Sequence, residues 1–283
     1  MAFTAPKTQA FRRFLVLDSD AVLGALSALD GGAVDEILTR KVGESGGEVG
    51  GELNVSAAKV RGKRGKSSRV EEELRRVRTE HSAASALIDK LHEREAVGVL
   101  DGTLDADSLG QLTPGMVVQM QGEVGLHPLF QLYAVMNSFI ANAPKLGFAE
   151  QARELKTALP IFHALAGTSD SGRVLLDIQT GERQAARIVA FVDKPSLQVP
   201  TDELTGHFTV LAQVDELQLE EGEELMVFRI VRGAPAGAVE REAMTEGTQG
   251  IIEASEGMGV TLGKEDVSMP SPLVVLRPIC IWR

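Results

Sequence analysis

The chain opens on a change of hydrophobic rhythm. Residues 12–17, RRFLVL, end in four consecutive apolar residues, and after Asp18-Ser19-Asp20 the apolar positions Val22, Leu23, Leu26 and Leu29 recur in helical steps. The unbroken run predicts a buried strand and the stepped pattern a helix. Asp18 or Ser19 can cap that helix, and Asp20 suits the positive end of its dipole. Gly31-Gly32 stops it. Residues 42–68 combine GESGGEVGG with ELNVSAAKV and RGKRGKSSR, a glycine-rich and basic segment expected to be mobile apart from a weak exposed strand. A long helix follows from about Ser67 or Ser68 to His92, with Glu71, Glu72 and Glu73 near its start. Its apolar positions Val70, Leu74, Val77, Ala84, Ile88 and Leu91, with His81 among them, alternate in fours and threes like a coiled-coil seam. Three heptads are short for a free coiled coil. Packing on another helix of the chain is therefore preferred, with homo-oligomerisation through helix 69–92 as the alternative.

After the turn-rich LDGTLDADS, the residues PGMVVQMQGEV alternate as a strand should, with Met116, Val118 and Met120 on one side. LFQLYAVMNSFI is apolar nearly all round and predicts a buried helix, and GFAEQARELKTALPIFHALAG adds one or two more. Beyond Gly167 the rhythm returns to strands. RVLLDIQ and RQAARIVAFV flank Thr180-Gly181-Glu182 as a hairpin, HFTVLAQVDEL and ELMVFRIV flank EEGE as a second, and PLVVLRPICIWR forms a last strand. Residues 233–269 predict a loose connection with a short helix from Val239 to Met244. The expected fold is α+β: a strand and helix at the N-terminus, a central helical cluster with one long helix, and a mostly antiparallel C-terminal sheet or small barrel. Two subdomains, 1–168 and 169–283, are expected to meet near residue 168.

Composition narrows the function classes. With 29 basic against 40 acidic residues and a net charge of −11, the 283-residue chain lacks an overall cationic surface, so nucleic-acid binding would have to be local. A single cysteine, Cys280, allows neither an intrachain disulfide nor a thiolate zinc cluster and fits a reducing, cytoplasmic setting. No apolar run approaches the ~20 residues of a membrane span. Neither signal peptide nor anchor is expected.

Order and spacing carry a resemblance. The pieces FLVLDSDAVLGALSALDGG, TEHSAASALIDKL, PGMVVQMQGEVGLHP, GHFTVLAQVDEL and LRPICIW resemble, over most of the chain, an uncharacterised bacterial family known as a domain of unknown function. The resemblance implies fold and bacterial origin, and transfers no catalytic residue. A narrower likeness lies at Asp18-x-Asp20, which is similar to the first motif of haloacid-dehalogenase-type phosphotransferases. There the first carboxylate attacks phosphorus and the second protonates the leaving oxygen. That chemistry also needs a lysine, a hydroxyl residue and further acids at the ends of parallel strands, whereas the strands here are mostly hairpin-linked. VLDGTLDAD at 99–107 repeats the likeness after a helix.

The remaining candidates weigh less. Lys59, Arg61, Lys63, Arg64, Lys66 and Arg69 could follow a phosphate backbone, but no aromatic is interleaved to stack bases and three glutamates follow at once. His81, His92, His127, His163 and His207 show no two-histidine metal spacing, so neither metal nor cofactor is expected. His127 and His207 would become ligands only where the fold brings acids to them. Cys280 reads as a packed side chain rather than a nucleophile. The leading expectation is a non-enzymatic cytoplasmic interaction or accessory protein with an unknown protein partner. A metal-dependent phosphoesterase using Asp18 and Asp20, and nucleic-acid binding through residues 59–69, are the alternatives. A place in phage defence or mobile-element biology is the widest form of the expectation, and no residue carries it.

Overall fold

A computed structural model describes residues 12–30, 80–150, 152, 153, 156, 172–227, 252, 255 and 259–283. The basic run 59–69, the Gly-rich stretch, residues 69–79 of the long helix, His163 and the helix expected at Val239–Met244 lie outside them. The chain divides into two compact units, one of Met1–Ser19 with Leu91–Arg283 and one of Asp20–Lys90.

The first unit is built on a barrel. Strands β1 (Phe14–Leu17), β2 (Gly98–Leu100), β3 (Val117–Leu126), β4 (Arg173–Gln179), β5 (Arg187–Asp193), β6 (Gly206–Gln218) and β9 (Leu273–Trp282) share one sheet. Five of them close on themselves in the order β3-β4-β5-β9-β6 and back to β3. The set β6-β3-β4-β5 is a Greek key, the fourth strand returning beside the first. β9 then closes the ring, parallel to β5 and antiparallel to β6. The α+β class and the small barrel expected from the sequence are both present.

β3 makes the closure possible because it changes partners along its length. One edge runs against β6 from Val117 to Val124, while the other takes β2 at Val118–Met120 and then β4 at Glu123–Leu126. Gly122 sits between those two pairings, and a Cβ there would lie 2.6 Å from the carbonyl oxygen of Gln179. Only glycine lets β4 approach this closely as the sheet turns its corner. Irregular register in the β6–β9 pairing, between Leu211 and Ala212 and between Val214 and Glu216, adds the extra twist that curls a sheet into a barrel.

The alternation read in β3 is observed, with Val118, Met120, Gly122 and Val124 buried. β5 and β9 instead bury consecutive residues, Ile188 to Val192 and Leu273 to Leu276, because both their faces are covered. A helix α4 (Pro128–Asn142) follows β3 and buries Leu129, Leu132, Met136 and Ile140, an i, i+3, i+7, i+11 stripe. The reading of this segment as buried all round needs correction, since Ala134, Val135 and Ser138 on its other side are exposed.

Two pairings depart from the sequence reading. β7 (Glu224–Met226) does not form a hairpin with β6 but pairs with β8 (Ser268–Pro270). Both edges of β6 are already taken by β3 and β9, so the next strand must find another partner. The supposedly loose end of the 233–269 connection accordingly holds a short helix α5 (Lys264–Val267) and β8. The β4–β5 hairpin is present, yet RQAA at 183–186 is loop rather than strand: Ala185 N–H donates to the Leu104 carbonyl at 2.7 Å and Leu104 N–H to Thr180 Oγ1 at 3.0 Å. A short α3 (Ala106–Leu109), capped by Asp105, lies in the region read as turn.

The second unit contributes α1 (Ser19–Leu29), with Val22 and Leu26 buried, and most of α2 (Glu80–Glu93). Lys90 and Asp30 form an ion pair. His81, placed in the seam by the heptad reading, is exposed. Residues Ala83, Ala84, Leu87, Ile88 and Leu91 are buried instead, a stripe broader than a two-position coiled-coil seam because the straight helix follows its 3.6-residue period.

Candidate functional site

Asp18 stands where β1 leaves the sheet. Its N–H donates to the Ile279 carbonyl at 2.9 Å, which holds the residue beside β9 at the gap between the β5 and β1 pairings. Arg277 projects into that gap, with Nη2 3.6 Å from Asp18 Oδ2 and 4.0 Å from Asp193 Oδ2. Asp193 in turn accepts from Arg173 Nε at 3.1 Å, and the Arg173 guanidinium lies 4.5 Å from the centroid of Phe191. Asp18 is thus one end of an alternating Asp–Arg–Asp–Arg string. Asp20 lies exposed in the first turn of α1. Among the described residues no group of three or more His, Cys, Asp or Glu is placed to hold a metal ion.

The histidines find separate settings. His92 Nε2 meets Gln119 Oε1 at 2.9 Å, and His207 faces Glu123 across the β3–β6 pair at 3.5 Å, both exposed. His127 is fully buried at the N-terminus of α4, where Nδ1 accepts from Leu129 N–H at 3.3 Å. That bond places the ring proton on Nε2, which meets no hydrogen-bonding group among the described residues. Burial first, and the Arg187 charge second, push its pKa down to about 3, against an upward pull from Asp266.

Arg187 is the hub of a polar cluster. Nε and Nη2 donate to the two oxygens of Asp177 at 3.1 Å each, Nη2 also reaches Asp266 Oδ1 at 2.9 Å, and Nη1 donates to the Glu265 carbonyl at 2.8 Å. Asp266 Oδ2 accepts from Gly263 N–H at 2.9 Å. The cluster ties β4, β5 and α5 together. Burial raises the Asp177 pKa, and Arg187 opposes the rise. Cys280 is buried in β9, and burial pushes its thiol up to about 12, which keeps it protonated and inert.

The third feature is apolar and open. A groove of about 780 Å³ is lined by Ala134, Val135, Ser138, Phe139 and Asn142 of α4 with Lys145 and Leu146 of the following 3-10 turn. Val135, Leu146 and Phe148 are 39%, 66% and 47% exposed, and the Phe139 and Phe148 rings lie 6.3 Å apart. In a chain of which 24% is charged, the fifteen residues of α4 include no charge at all. Exposed helix faces ordinarily carry charges, so this one is built like a surface that becomes covered.

A family model matches residues 11–282, taking in β1, the whole barrel and α4. The chain belongs to the family described as a domain of unknown function (DUF6414). No curated protein and no solved structure matches it. Within DUF6414, then, the fold and the open groove belong to the matched region, while roles for its residues must come from their chemistry.

Sequence reasoning singled out Asp18 and His127 and missed the groups that surround them. Arg277, Asp193 and Arg173 come from three strands, and Asp266 is 79 residues from Arg187, so no local spacing relates them. The groove did have a signal in the sequence, the absence of any charge in α4.

Proposed function

We propose that this protein is a non-enzymatic interaction protein of the bacterial cytoplasm, and that the outer face of α4 is where it receives a protein partner. One observation carries the reading: a partly exposed, uncharged helix face borders an apolar groove in a strongly acidic protein. Such a face costs solubility when bare and gains by desolvation when covered. Among the described residues no helix is long and apolar enough to cross a membrane.

Two other readings rank below it. The metal-dependent phosphoesterase reading would act through Asp18, whose carboxylate lies beside Arg277, and Asp20, exposed in the first turn of α1. The nucleic-acid reading rests on the basic run 59–69, which lies outside the described residues, and the five-stranded Greek-key barrel adds only a fold-level likeness to the oligonucleotide- and oligosaccharide-binding type.

A photo-activatable cross-linking residue at position 135, introduced into the full chain in its native host, tests the reading. The expected result is a discrete protein adduct that disappears when Phe148→Glu is added. Adducts to nucleic acid alone, or no adduct at all, would overturn it.

A further inference from the structure

His127 is the joint between the barrel and α4. Its N–H donates to the Leu175 carbonyl at 3.1 Å, continuing the β3–β4 ladder, and its own carbonyl accepts from Phe130 N–H at 2.8 Å and Gln131 N–H at 3.1 Å. The side chain completes the cap. Pro128 has no N–H, so Leu129 carries the first amide of the helix, and the acceptor for it is His127 Nδ1 at 3.3 Å. We propose that this joint is a proton-operated release: uptake of a proton by His127 frees the first turn of α4 from the barrel while the ring of strands stays closed.

An imidazole accepts a hydrogen bond only while it is neutral, because both ring nitrogens of the charged form carry hydrogen. Protonation therefore removes the acceptor of Leu129 N–H and turns two donors toward each other. The charged groups on the elements around the ring are Asp177 on β4, Arg187 on β5, and Lys264, Glu265 and Asp266 on α5, while α4 has none. Arg173 and Asp193 pair with each other at the other end of the β4–β5 hairpin, and Glu123 of β3 meets His207 at the surface. Arg187 opposes a positive ring and Asp266 favours it, but both Asp177 and Asp266 are already engaged by Arg187. An imidazolium here gains no carboxylate of its own.

The ring is fully buried, so a proton reaches it only when the helix lifts. Opening and protonation are one event. With the closed ring held down to a pKa of about 3 and the opened ring near 6.5, the opened state gains population about tenfold for each pH unit below 6.5, or about thirtyfold at pH ~5. The opening is local, because the pairings that β3 gives to the ring end at Leu126 and none runs through α4. What lifts is a turn carrying Leu129 and Leu132, whose return to the core closes the joint again at neutral pH. α4 also bears the open face, so the device would regulate that surface, although the inference itself needs only the helix and its cap.

Hydrogen exchange of the full chain, followed by mass spectrometry from about pH 7.5 to about pH 5 and corrected for intrinsic exchange, tests the release. Opening at residues 129–132 should rise about thirtyfold across that range and be insensitive to low urea, while β6 and β9 exchange more slowly and respond to urea. His127→Asn separates the imidazole from Asp177, whose pKa burial raises. Asparagine caps a helix without titrating, so this variant should keep its neutral-pH protection at the acid end. A wild type whose protection at 129–132 does not change with pH overturns the inference, as does the same rise in His127→Asn or a urea response matching that of β6. If that variant fails to fold, NMR of the wild-type imidazole decides. A ring that stays neutral, with its proton on Nε2, while exchange rises supports the release, and one that titrates near the ordinary histidine value overturns it.

Discussion

The Arg187 cluster and the outer face of α4 are inversions of the same rule. The cluster draws charges into half-buried positions: a guanidinium and two carboxylates meet between β4, β5 and α5, with a buried, uncharged imidazole in their field. The α4 face puts apolar groups outside, with Leu146 and Phe148 turned to solvent. The difference lies in what satisfies each. The cluster is closed, because every interaction of Arg187 is supplied by the protein itself, so its role is read from stability. The face is open, because nothing in the chain's own described residues covers it, so the role proposed for it is association. A polar group indoors and an apolar group outdoors are both costly, and only the second points beyond the molecule.

Removing the hub should give the largest effect. Arg187→Met leaves Asp177 and Asp266 without their cation, and because the Arg187 side chain is 24% exposed the loss should be about 2–4 kcal/mol rather than the full ~3–5 of a deeply buried pair. Urea denaturation measures it, and a change under ~0.5 kcal/mol would reduce the cluster to a surface feature.

The second effect is one of pH. His127 has a folded pKa near 3 against 6.5 in an open chain, so the unfolded state binds its proton first as the solution is acidified. The stability it contributes is complete above pH ~6.5 and is lost as pH falls towards about 3, by about 2 kcal/mol at pH 5. His127→Gln should flatten that acid limb in denaturation curves, and an unchanged slope would mean that the imidazole is hydrated and free to titrate.

The smallest effect on folding belongs to the open face. Val135→Asp should leave stability within ~0.5 kcal/mol, since the side chain is already 39% exposed, while abolishing capture of the proposed protein partner in cross-linking from the neighbouring position 134. A large loss of stability would show that α4 is covered from within the chain, and the contrast between the two regions would collapse.

Much of the fold was legible because local rhythm is enforced by burial. FLVL, the alternation from Val118 to Val124, and the run from Ile188 to Val192 each look like the strand they become, since one or both faces of each must be dry. α1 was legible in the same way. The pairing of β7 was not, because ELM carries no mark of which edge remains free once β3 and β9 have enclosed β6. His81 was misplaced because a strict heptad drifts around a straight helix by about 20° each repeat.

The candidate site divides similarly. The absence of charge in α4 is a property of the sequence, and so is Asp18 at the close of an apolar run. That Asp18 meets Arg277 follows from the pairing of β1 on β9, and that Arg187 gathers Asp177 and Asp266 follows from the β4–β5 register and from α5 lying against that hairpin.

By itself the sequence determined the α+β class, the principal strands and the helix that lacks charge, because these depend on periodicity and desolvation over a few consecutive residues. Only the tertiary structure decided that five strands close into a ring, which charges become partners across it, and which side of α4 remains open. Those outcomes depend on edges and faces that exist only once distant segments have met.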